Sequence, residues 1–266
     1  MLFPGPSTAI NSPDDFLPLR IFVGILTTLG LALILLLPVL FLEWATDRIL
    51  FWRRPRLIRE AAPLLGAEAV THFPGAQELG SAFRGESSLM GLTRNVLRFS
   101  PSRYVFDYEW FDDRLKGTRR GVHTVAAFEM RRGLPRLHLR PHRSLFARLG
   151  EFHLWSLLLP AELRPCRVQF ASGSEFSRRY MVMSVTADAE AVKEFFTPGV
   201  LNFFEQLDAR PKWRVDARYG WLFVRSAGTV FGRRLPFRRH YLVAPGKLPI
   251  FLEQASAIAQ QLEFSL

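Results

Sequence analysis

Residues 21–42 read IFVGILTTLGLALILLLPVLFL, twenty-two positions without a charge, bracketed by Arg20 and Glu43. At 1.5 Å per residue such a run makes a helix roughly 33 Å long, against a hydrocarbon core of about 30 Å. A transmembrane helix over residues 20–43 is therefore expected, behind an N-terminal tail over residues 1–19. Gly24, Gly30 and Pro38 are tolerated in spans of this kind, and Phe41, Trp44 and Trp52 suit an interfacial aromatic belt. A cleavable signal peptide fits poorly, because the apolar run is too long, Asp14 and Asp15 precede it, and no small-x-small site follows.

Lysines and arginines near the two ends set the orientation. Arg20 stands alone before the run, whereas Arg48, Arg53, Arg54, Arg56 and Arg59 follow it. That asymmetry predicts a single-pass protein with its N-terminus outside and its C-terminal domain cytoplasmic. Residues 44–65 read as a basic juxtamembrane linker or helix interrupted at Pro55, with Trp44, Arg48, Trp52, Arg53, Arg54, Arg56 and Arg59 as anchoring residues at the headgroups. The same arginines are also the ordinary flank of any stop-transfer segment. The whole chain carries a formal charge of +11, with Lys116, Lys193, Lys212 and Lys247 its only lysines, and so favours acidic partners. The one cysteine, Cys166, excludes an intramolecular disulfide and fits a reducing compartment.

Beyond Gly66 the pattern changes to short alternating stretches punctuated by glycine and proline, which read as strands. In residues 104–111 the alternation puts Tyr104, Phe106, Tyr108 and Trp110 on a core face, with Asp107 and Glu109 on the opposite, solvent face. Residues 122–130 complete a hairpin, and a third strand follows Pro135 with Leu137 and Leu139 inward. Residues 167–170 and 179–185 are further strands. A second hairpin joins 213–217 to 221–225 through Arg218, Tyr219 and Gly220. Residues 187–207 form a helix capped by Asp188 and broken at Pro198 and Gly199, and residues 249–262 form an amphipathic terminal helix. The expected fold class is α+β: an N-terminal transmembrane helix, then a soluble domain over 66–266 of antiparallel sheet with packed helices.

The order of these features, with His72-Phe73-Pro74, Arg94-Asn95-Val96, Phe106-Asp107-Tyr108-Glu109, Thr124-Val125, Leu134-Pro135 and the helix start Asp188-Ala189-Glu190, resembles a group of bacterial single-pass membrane-anchored proteins of unknown function. The resemblance implies a bacterial inner (plasma) membrane protein and brings no catalytic residues with it.

Chemistry-bearing patterns are sparse. The histidines at 72, 123, 138, 142, 153 and 240 are scattered, and the one close pair, His138 and His142, would lie about 13 Å apart on a strand. No G-x-S-x-G elbow, phosphate-binding glycine loop or metal-binding motif occurs, so no catalytic residue, cofactor or metal ligand is assigned. Cys166 sits between Arg164 and Arg167, which lower a thiol's pKa, yet a lone cysteine ordinarily serves as a small buried hydrophobe. Asp107 and Glu109, about 7 Å apart on one strand face, suit general acid and base work, or cross-strand pairing with arginines. In residues 230–241 two arginine pairs alternate with aromatics, which makes Arg233, Arg234, Phe237, Arg238 and Arg239 candidates for contact with an anionic ligand or lipid. The expected function is a non-catalytic, membrane-anchored binding or scaffold module displaying a basic cytoplasmic domain. Its expected partners are anionic lipid headgroups or a protein in a membrane complex, not nucleic acid. The alternative is a membrane-associated hydrolase using surface carboxylates.

Overall fold

A computed structural model describes residues 17–76, 90–112, 119–131, 133–141, 161–170, 174–207, 212–226 and 239–263. The chain divides into two units, Met1–Arg54 and Pro55–Leu266.

The first unit is described from the start of helix α1 (Leu17–Leu64). Phe22, Ile25, Leu29, Leu33 and Leu36 all stand more than half exposed along it. Thr27 and Thr28 satisfy their hydroxyls within the helix by donating to the carbonyls of Val23 (2.9 Å) and Gly24 (2.7 Å). Among the described residues, no helix is long and apolar enough to cross a membrane. This finding overturns the transmembrane helix expected over 20–43, and with it the single-pass topology and the inner-membrane placement with a cytoplasmic C-terminal domain. Pro55 does not interrupt α1 either. A proline removes one backbone donor from the ladder, and the turns on both sides keep theirs.

The second unit opens with the last turns of α1. Their end is fixed by Gly66, whose φ of +65° lets its N–H reach Pro63 O (3.1 Å) and the Ala67 N–H reach Ala62 O (2.9 Å). Ten strands then build one sheet: β1 (Glu68–Val70), β2 (Met90–Ser100), β3 (Arg103–Asp112), β4 (Arg119–Glu129), β5 (Leu137–Pro141), β6 (Pro165–Val168), β7 (Tyr180–Val185), β8 (Trp213–Arg218), β9 (Trp221–Ser226) and β10 (Arg239–Tyr241). Their order is β1-β2-β3-β4-β9-β8-β5-β7-β6, with neighbours antiparallel. The exception is β10, which runs parallel to β4 where β9 leaves that edge uncovered. The β8–β9 hairpin turns on Tyr219 and Gly220 at φ +51° and +78°. Positive φ at both central positions gives the turn the twist that the two strands need.

Among the described residues, four further helices are α2 (Glu175–Arg179), α3 (Ala189–Phe195), α4 (Pro198–Gln206) and α5 (Leu248–Glu263). The helix expected over 187–207 divides at Pro198, where Thr197 caps α4 and Pro198 occupies its first turn. Asp188 does not cap α3. A 3-10 turn leads into that helix, and the carboxylate instead accepts from the Arg136 N–H at 3.2 Å.

One face of the sheet packs Val105, Ala126, Leu139, Val182, Val215 and Val224 against Val192, Phe196, Phe204, Phe251 and Ile258 from the helices, with Ile58 and Ala62 of α1 joining them. The spacing of Leu248, Phe251, Leu252, Ala255, Ile258, Ala259 and Leu262 gives α5 its single apolar stripe. The opposite face carries a second cluster centred on Phe73, which stacks on Phe106 at 4.7 Å and meets Tyr104 and Trp221 edge-on at 5.4 and 4.8 Å. Among the described residues, the short segment that carries Phe73 joins the sheet through three-residue β1 and buries the ring against β3 and β9. Replacing Phe73 with alanine should lower stability by about 3–5 kcal/mol, the loss typical of a deleted core phenylalanine. Urea denaturation of the full chain measures this directly.

Candidate binding site

Two polar groups lie within the sheet, one on each face. On the helix-packed face, Asn95 adopts φ +54° at an irregularity in the β2–β3 register, a conformation asparagine tolerates better than most residues. This turns its side chain onto Asp107, with Nδ2 donating to Oδ2 at 2.8 Å. Thr124, the register partner of Asp107 on β4, donates its hydroxyl to Oδ1 at 2.9 Å and accepts the Val243 N–H at 3.0 Å. Two residues along β3, Glu109 lies 3.0 Å from Arg94 Nε.

Asp107 and Glu109 are buried, contrary to the solvent face that alternation predicts for them. The strand alternates as expected, but both faces of the sheet are covered, so the alternation separates two interiors rather than an inside from an outside.

The second group lies on the other face of β5, β8 and β9. Asp216 is fully buried, with Oδ1 against His138 Nδ1 and Oδ2 3.5 Å from Arg225 Nη2. Its neighbours on the same face of β8 and β9, Arg214 and Arg225, are direct register partners, and both are buried. Burial pushes the Asp216 carboxyl upward, but the charges of His138, Arg225 and Arg214 outweigh it and hold the group below the usual carboxylate range. Burial lowers the Arg225 guanidinium from its ordinary value, and Asp216 opposes that shift. Beyond Arg225, Tyr108 and His123 extend the polar strip, and the His123 ring stacks on Tyr241 of β10 at 5.1 Å.

No protein-family model matches this sequence, and no curated protein matches it. Among solved structures, the crystal structure of the mycobacterial trehalose monomycolate transport factor A, TtfA, is similar over 80% of this chain and 94% of that chain, at 13% identity and a TM-score of 0.46.

The residues singled out by sequence fall elsewhere. Arg233, Arg234, Phe237 and Arg238 lie outside the described residues, and so does His142. Arg239 belongs to β10, paired in register with Gly121. Trp44 and Arg48 are placed on α1, as are exposed Trp52 and Arg53. Arg56 is tied to Glu60 at 2.7 Å, and Arg59 Nε donates to Pro55 O at 3.3 Å. Arg54 is buried. Cys166 is half-buried on β6, and among the described residues no group of three or more His, Cys, Asp or Glu side chains could hold a metal ion.

Sequence reasoning missed Arg214, Asp216 and Arg225. The alternation of Arg214 and Asp216 with Trp213, Val215 and Ala217 reads as an ordinary solvated face.

Because the folded pKa of Asp216 lies below its unfolded value, the unfolded chain binds the extra proton as the solution is acidified. The stability this group contributes is therefore complete above the unfolded value of about 3.9 and is lost as pH falls through the folded one. Urea midpoints measured from pH 6 to pH 2 should fall less steeply in Asp216→Asn than in the parent, whose midpoint at pH 6 should be the higher of the two.

Proposed function

We propose that residues 66–266 form a non-catalytic binding or scaffold module. The observation that supports this reading is the engagement of both candidate carboxylates. Asp107 accepts from Asn95 and Thr124, and Glu109 faces the half-exposed Arg94; both carboxylates are themselves buried, beside the Thr124 hydroxyl that fastens Val243 to the sheet. A general acid or base needs a proton path to a substrate, and a nucleophile needs an open face. Groups placed as Asp107 and Glu109 are serve instead to close the polar positions of a sheet covered on both sides. The basic charge of the chain adds that the preferred partner is acidic.

The reading predicts that Asp107→Asn and Glu109→Gln lower stability, each by about 1–3 kcal/mol, because neighbouring donors lose a charged acceptor. The measurement is urea denaturation of the full chain, alongside assays for hydrolysis of ester and phosphate-ester probes. Variants that keep the parent's stability while abolishing a hydrolytic activity would favour the hydrolase instead.

A further inference from the structure

From the arrangement of Arg140, Arg214 and Arg225, and resting on the binding-module reading above, we propose that this face of the sheet holds a phosphate group. Arg214 and Arg225 are direct cross-strand partners, a placement in which like charges repel. Arg140 lies two residues beyond His138 and therefore on the same face of β5. One further step along the β5–β8 register sets it beside Arg214. Three arginines on adjacent strands thus share one strip of the sheet face, in a setting where removal from water strengthens every charge interaction. Asp216 is the buried carboxylate on this face among the described residues, and it is shared between His138 and Arg225.

The three guanidinium groups also engage other groups in the fold. Each carries five N–H donors in a planar fork, so one guanidinium serves a structural acceptor and a ligand oxygen together. A phosphate dianion suits this strip better than a carboxylate. Its charge offsets two adjacent cations, and its tetrahedral oxygens meet forks arriving from separate strands. Access is from the β5 side, where the His138 side chain is 22% exposed and Arg140 is half-buried, while Arg225 and Asp216 form the floor. The aromatic cluster around Phe73 closes the neighbouring part of the same face and gives the strip an apolar border.

Isothermal titration calorimetry of the full chain with inorganic phosphate, against sodium chloride at matched ionic strength, tests the proposal. Phosphate should bind the parent, and Arg214→Gln should weaken that binding about tenfold or more, as expected for loss of one charge-assisted bond. Arg140→Gln, at the half-buried margin, should do the same with its circular dichroism spectrum unchanged, which covers the case in which Arg214→Gln fails to fold. Absence of phosphate binding by the parent, or binding by folded Arg140→Gln equal to the parent's, overturns the site and leaves the non-catalytic reading standing. A second arm uses p-nitrophenyl phosphate to separate free from esterified phosphate. Binding of the intact ester, weakened by the same variants, assigns the site to phosphate monoesters, and binding of inorganic phosphate alone assigns it to the free ion. Release of nitrophenol, lost in the same variants, would keep the site and overturn the non-catalytic reading.

Discussion

The sheet is covered on both faces, and that constraint organises the second unit. Strands β3, β4, β8 and β9 bury nearly every described side chain regardless of direction. An antiparallel sheet more often leaves one face in water, where alternate polar residues need no partner. Here each polar residue on the central strands must be satisfied from within. This accounts for Asp107 being met from two strands, and for Asp216 lying between a histidine and an arginine. It also explains why Thr124 is both donor and acceptor: its hydroxyl closes a carboxylate on β3 and a backbone N–H near α5 in one step.

The two faces achieve this by different means. On the helix side the polar knot is small and lies beside an aliphatic and phenylalanine core, so its groups are matched nearly one to one. On the other side the aromatic cluster lies on β2, β3, β4 and β9, and charged residues occupy the face of β8 and β5. Strand β5 joins these territories. Its five residues are the hydrogen-bonded link between β8 and the β7–β6 pair, and its register to β8 covers three positions with His138 opposite Asp216 at the centre. A side-chain pair thus reinforces a seam that is three register pairs wide.

Much of the strand layout was legible because it rests on local patterns. The β3–β4 hairpin follows from aromatic alternation, the β8–β9 turn from Tyr219 and Gly220, and the break between α3 and α4 from Pro198. What could not be read depends on residues distant in sequence. The network around Asp107 reaches Val243 through Thr124, and the environment of Arg225 includes His138 through Asp216; no window of ten or twenty residues contains either relation. Pro55 misled for a similar reason, since a local helix-breaking preference is smaller than the stabilisation that surrounding turns and packed Ile58 and Ala62 provide.

The pairing of β4 has a consequence for synthesis. One edge of β4 is occupied early, within the β3–β4 hairpin, but the other waits for β9 and β10, which lie 100 residues downstream at Val125 and Arg225 and 118 at Gly121 and Arg239. At translation rates of about 5–20 residues per second, that edge leaves the ribosome and stays unpaired for roughly 5–20 s. During this interval it is an apolar strand with open backbone groups, the kind of template that nascent neighbours bind. The middle of the chain thus carries an open strand edge while its last third is still being made.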